Sequence, residues 1–128
     1  MRHIRTLILI SLCALLACSC HKSNPIVIIP EPVECTPKHG SFTLNDETFL
    51  CFENLKGDDT ELAKTINDMF RSTFGIKPNL GDKSSSHRNY ILFELNGKED
   101  KNIGNEGYTL TVKRGHILVK ANTTAGLF

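Results

Sequence analysis

Residues 90–95 read YILFEL, and this stretch constrains the fold of the chain more than any other. The run is apolar at nearly every position, the pattern of a central strand covered on both faces rather than of a half-wetted one. Such a strand needs neighbours. Downstream, Tyr108, Leu110 and Val112 alternate with Thr109, Thr111 and Lys113, Arg114-Gly115 supplies a turn, and residues 116–121 return, which predicts a hairpin. Upstream, Phe42 and Leu44 alternate with polar neighbours, Asn45-Asp46-Glu47 has turn composition, and residues 49–52 form a second apolar run. This predicts another hairpin. Ahead of it, Pro30, Pro32 and Pro37 exclude a helix and fit an extended edge or surface-hugging segment.

Between the two hairpins lies DDTELAKTINDMFRSTFG. Asp58 or Asp59 can cap a helix here, Glu61 suits the positive end of its dipole, and Gly75 suits its stop. Leu62, Ala63, Ile66, Met69, Phe70 and Phe74 share one stripe, so the helix presents a core face. The stretches GDKSSSHRN and NGKEDKNIGNEG on either side of YILFEL read as polar surface loops. At the end of the chain, ANTTAGLF offers Thr123 or Thr124 as the N-cap of a second helix, followed at once by small and apolar residues. The expected architecture is therefore α+β: a small, mostly antiparallel sheet with helices packed on one face, its other face left apolar around YILFEL.

The first residues belong to no fold. Arg2 and Arg5 precede a short apolar run over residues 6–16, too short to span a bilayer comfortably, as in a secretory signal. Leu15-Leu16-Ala17-Cys18 resembles the bacterial lipobox, which places Cys18 as a lipidated N-terminus after cleavage. Ala17-Cys18-Ser19-Cys20 is a poorer match, and an ordinary signal peptide with incidental cysteines is the plain alternative. The expected division is a signal over residues 1–17, a tether over 18–25 and one domain over 26–128. Without Arg2 and Arg5, 13 of the 15 basic residues face 14 acidic ones, so no basic footprint for nucleic acid exists. The expected membrane contact is through a lipid anchor after export.

Of the five cysteines, only Cys35 and Cys51 lie in the expected domain. An oxidising compartment permits a disulfide between them, and two small buried hydrophobes are the other reading. Cys35 and His39 are two metal-type ligands without a third, so neither a metal nor a cofactor is expected. Paired acids do glycosidase work, and the candidates are Asp46-Glu47 and Glu99-Asp100. Each pair sits in a polar turn or loop, with no apolar wall to hold a carboxyl protonated. No nucleophile with a positioned base and no phosphate-cradling glycine loop occurs, so no catalytic residue is assigned.

Two segments nevertheless resemble a known family. IIPEPVECTPKHGSFTL and NEGYTLTVKRGHILVKANTTAGLF are similar to the N-terminal domain of bacterial β-N-acetylhexosaminidases of glycoside hydrolase family 20. The matching residues are Pro30, Pro32, Gly40 and Phe42 at the start. Glu106, Tyr108, Leu110, Ile117, Val119, Ala121, Gly126 and Phe128 match at the end. Gly107 stands where the family pattern is variable. The resemblance implies an accessory domain that precedes a catalytic barrel, in an enzyme that removes terminal N-acetylhexosamine from glycans with the substrate's own acetamido group as nucleophile. It also implies that the pattern continues beyond Phe128. The family's Asp-Glu pair belongs to a His-x-Gly-Gly-Asp-Glu context, which Thr43-Leu44-Asn45 before Asp46 does not provide. Alternatives are a stand-alone glycan- or protein-binding lipoprotein, and another exo-glycosidase with a similar appended domain, such as an α-glucuronidase or a hyaluronidase-like hexosaminidase.

Overall fold

The structure, a computed structural model, describes residues 26–29, 31–55, 60–82 and 88–128. Cys18, the expected signal and tether, and the cap candidates Asp58 and Asp59 lie outside the described residues. The chain divides into two units, Met1–Lys38 and His39–Phe128. In the first, the described residues carry no helix or strand, in keeping with the prolines at positions 32 and 37.

The second unit runs β1 (Phe49–Glu53), α1 (Thr60–Phe74), β2 (Asn79–Gly81), β3 (Tyr90–Leu95), β4 (Tyr108–Lys113), β5 (His116–Ala121) and α2 (Thr124–Leu127). The strands form one sheet in the order β2-β1-β3-β5-β4, with YILFEL as its central strand. Three of the four pairings, β1 with β2, β1 with β3 and β3 with β5, are parallel. Only β4 with β5 is antiparallel. The sheet is therefore mixed, not mostly antiparallel as the sequence suggested. The reason lies in the connections: the helix α1 carries the chain back so that β2 runs parallel to β1, and in sequence β4 runs back between β3 and β5 so that β5 is parallel to β3.

The first expected hairpin does not form. Residues 42–44 are not a strand, although 45–47 do make the turn: the Thr48 N–H donates to the Asn45 carbonyl at 3.0 Å, and the Glu47 N–H to Asn45 Oδ1 at 3.1 Å. Both edges of β1 are taken by β2 and β3, so no ladder position remains for 42–44. Phe42 and Leu44 instead pack as partly buried side chains against the core. The strand β2 was not foreseen; three residues at the sheet edge leave little pattern to read.

The core lies on one face. Leu50 of β1, Ile91 and Phe93 of β3 and Ala121 of β5, which the register puts on one face, meet Ile66 of α1 and Leu127 of α2 in a single cluster. Both helices thus cover the same face, as expected. Phe52 and Phe93 stack there with centroids 5.2 Å apart. Leu62, Ile66 and Phe70, spaced by one helical turn, supply the inward stripe of α1, while Met69 and Phe74 remain about half exposed at its flank. The helix ends as its sequence indicates: Gly75 takes φ +66° and its N–H donates to the Arg71 carbonyl at 3.1 Å. The opposite face is mixed. Cys51 and Leu92 are buried, Tyr90 stacks on His116, and Lys120 pairs with Glu94 at 2.9 Å.

Candidate functional site

Asparagines hold both ends of the parallel strands. Ahead of β1 the buried Thr48 hydroxyl accepts from the Asn45 N–H at 3.0 Å and from Asn89 Nδ2 at 3.1 Å. Beyond the strands, Asn122 Nδ2 donates to the Asp100 and Gly104 carbonyls at 2.8 and 2.7 Å, and its Oδ1 accepts from Asn96 Nδ2 and the Asp100 N–H. Asn54, at φ +61°, donates from Nδ2 to the Leu95 carbonyl at 2.9 Å. These side chains satisfy backbone groups that the strand ends leave unpaired. Their work is structural.

The carboxylate pairs fall into the same scheme. Asp46 Oδ1 accepts from the Lys77 N–H at 3.1 Å, fastening the turn before β1 to the approach of β2. Asp100 Oδ1 accepts from both nitrogens of Asn102 at 2.9 Å, closing its own loop. Asp46 precedes β1 and Asp100 follows β3, and the two strands are parallel, so the pairs sit at opposite ends of the sheet. Strands of five or six residues put roughly 15–20 Å between them at about 3.3 Å per residue. Carboxylates that share a glycosidic bond lie within about 10 Å of each other. The structure does not bring these acids together.

Among the described residues no group of three or more histidines, cysteines or carboxylates is disposed around a common metal position. Cys35 and Cys51 are free thiols, Cys35 exposed in the first unit and Cys51 buried in the second. Burial pushes the Cys51 thiol above its usual pKa of 9.0, and the charges of Asp82 and Glu53 push it further.

What the second unit does offer is an apolar surface at the α2 end of the helix-covered face. Thr123 occupies the N-cap of α2, as one of the two sequence candidates, but makes no capping bond; its hydroxyl donates instead to the Asn105 carbonyl. The short helix is seated by glycine. A Cβ on Gly126 would meet the Gly107 carbonyl oxygen at 2.6 Å, and one on Gly107 would meet the Ile103 carbonyl oxygen at 2.2 Å. Gly107 is thus required by the turn that its N–H closes onto the Ile103 carbonyl at 3.1 Å. Sequence pattern singled out Gly126 and noted Gly107 as a departure, but neither signal told of this contact. An open groove of about 240 Å³ results, lined by Phe93, Tyr108, Val119, Gly126, Leu127 and Phe128. Phe128 is 70% exposed, and Tyr108, Leu110 and Val112 of β4 are each about half exposed. Alternation placed those three on one face; their exposure follows from β4 lying at the rim, beyond the reach of α1.

The family model for glycosyl hydrolase family 20, domain 2, matches residues 26–128. This chain belongs to that family. The fold of the family 20 domain is similar to that of the N-acetyl-beta-hexosaminidase of Streptomyces plicatus, solved in complex with Thio-NAglucal, with a TM-score of 0.62 and 21% identity. The similarity covers 78% of this chain and 19% of the Streptomyces chain, so the chain spans about a fifth of that enzyme's length. No curated protein sequence matches.

Proposed function

We propose that this chain is the non-catalytic domain of an exported β-N-acetylhexosaminidase, an enzyme that removes terminal N-acetylhexosamine from glycans. The observation that carries the reading is the family match over residues 26–128 to a domain named as the second of a hydrolase family. The fold similarity to part of a hexosaminidase supports it. The local bonding of two of the candidate acids is consistent with this: Asp46 accepts from the Lys77 N–H, and Asp100 from both nitrogens of Asn102. Hydrolysis itself then belongs to a barrel that carries the family's Asp-Glu pair, and glycans are bound there. The proposal extends to anchoring: Cys18, after export, carries the lipid that holds the enzyme at the bacterial membrane, on its periplasmic side.

The test is an assay of the purified 128-residue chain on an aryl N-acetylglucosaminide, beside the polypeptide encoded by the whole reading frame. The longer polypeptide is expected to turn over substrate and the chain alone to be inert. Turnover by the chain alone that is lost on changing Asp46 or Glu47 would overturn the reading. For the anchor, labelled fatty acid is expected on the wild type and absent from Cys18→Ser. Label kept by that variant and lost in Cys20→Ser would move the anchor to the second cysteine.

A further inference from the structure

The strand β4 forms the rim of the sheet and is exposed at all six positions. Among the described residues no strand pairs with its outer edge. Proteins normally blunt such an edge with a proline, a bulge or inward-pointing charges, because a row of unpaired N–H and C=O groups is a template for another strand. Here the edge carries no proline and no bulge, and its single charged residue, Lys113, stands at the strand's end. The sequence YTLTVK lacks proline, and the pairing with β5 runs through six consecutive partners, Tyr108 with Ala121 to Lys113 with His116, without a skipped residue. Tyr108, Leu110 and Val112 meanwhile point an apolar row to the helix-covered side, since Leu110 and Val112 stand opposite the core-packed Val119 and Ile117.

We infer that this edge is a self-association site, at which β4 pairs antiparallel with β4 of a second copy of the chain about a two-fold axis at Leu110. The argument is one of register. Opposed residues in an antiparallel pair share a sheet face, so a two-fold between identical strands must pass through a residue. Centred on Leu110, the apolar residues meet apolar ones: Tyr108 faces Val112 of the second copy, and Leu110 faces its own counterpart. Thr109 faces Thr111. Lys113 faces the small Gly107. In the flanking turns, two residues before the strand and one after it, the exposed Glu106 comes opposite the exposed Arg114 of the second copy, giving two opposite-charge pairs and no like-charge pair. Centring on Thr111 instead sets Tyr108 against Arg114 and Thr109 against Lys113, and loses both ion pairs. The strand is thus complementary to itself in one register. The pairing joins two five-stranded sheets into one, with all helices on the same side. An interface of one strand pair is small, so the dimer belongs to the weak, concentration-dependent class.

Charge exchange tests this without touching the core. Sedimentation velocity of the whole chain, from micromolar to millimolar concentration, is expected to show a monomer–dimer equilibrium. Glu106→Arg and Arg114→Glu each turn both ion pairs into repulsions and should weaken the dimer about tenfold, a few-fold for each exposed pair. An equal mixture of the two variants restores opposite charges at both ends and should recover the wild-type dimer. Leu110→Cys supplies a check on register, because directly opposed Cα atoms about 4.5–5.5 Å apart lie within disulfide range. Oxidation should link position 110 of one copy to position 110 of the other, while Thr111→Cys, displaced from the axis, should not link. A chain that stays monomeric at all concentrations overturns the inference. So does a dimer indifferent to both charge variants, or a Leu110→Cys chain that bridges internally to Cys35.

Discussion

At Gly126 local preference and tertiary contact point in opposite directions. The residue sits in the four-residue helix α2, where alanine is favoured over glycine by about 1 kcal/mol in an open helix. A Cβ there would lie 2.6 Å from the Gly107 carbonyl oxygen and 2.9 Å from the Ala121 Cβ, and neither neighbour can rotate away. Overpacking of this kind costs about 1–3 kcal/mol, so it outweighs the propensity gain. Gly126→Ala is expected to lower the urea midpoint, whereas helix preference alone predicts a rise. At the preceding residue, the exposed Ala125, substitution by glycine should cost about 1 kcal/mol through propensity alone. Cys51 gives a pH dependence. Its thiol has a raised pKa in the folded chain because burial and the Asp82 and Glu53 charges disfavour the thiolate. The folded state then holds the proton more tightly than the unfolded state. The stabilisation is complete below the unfolded thiol's pKa of about 9 and declines as pH rises above it toward the folded value. Urea melts from pH 8 to 10.5 should show wild type losing more stability than Cys51→Ala, and equal slopes would contradict it.

Among the elements, α1 was the most legible, β2 left no pattern to read, and β1 was legible only in part. Residues 62, 66 and 70 repeat at one helical turn, and Gly75 takes the left-handed conformation that a helix stop needs, so pattern and structure agree. Ile66 is 5% exposed and joins the main cluster. Its replacement by alanine should cost about 2–5 kcal/mol in a denaturant melt. Lys64, which pairs with Glu61 at 3.7 Å in open solvent, should cost less than about 0.5 kcal/mol when replaced. A similar loss at both positions would mean that α1 is not seated by its stripe. The strand β1 was visible as an apolar run, but its partners were not. Nothing within residues 42–52 says whether the turn at 45–47 closes a hairpin or merely starts a strand. That choice depends on β2 and β3, which lie 26 and 37 residues further along.

For the whole molecule the consequence is a sheet with unequal faces and an unequal rim. Apolar residues on β4 and at Phe128 stand about half exposed or more, beside a groove at α2. Such a surface is expected to bind a hydrophobic dye in the native state. Phe128→Ser should reduce dye fluorescence while moving the urea midpoint little, since exposed positions change stability by about 0.5 kcal/mol or less. Unchanged fluorescence would show that the groove is not the dye's seat. The sequence by itself determined the central place of YILFEL, the β4–β5 hairpin and the helix α1. Each of these rests on interactions within a few residues: a periodicity, a two-residue turn, a helix stopped by glycine. Tertiary structure alone decided the parallel pairing of β1, β2, β3 and β5, the exposure of the β4 row, and the need for glycine at positions 107 and 126. Those features depend on which backbones come to lie side by side, and alternation gives the same pattern for a strand at the centre of a sheet as for one at its edge.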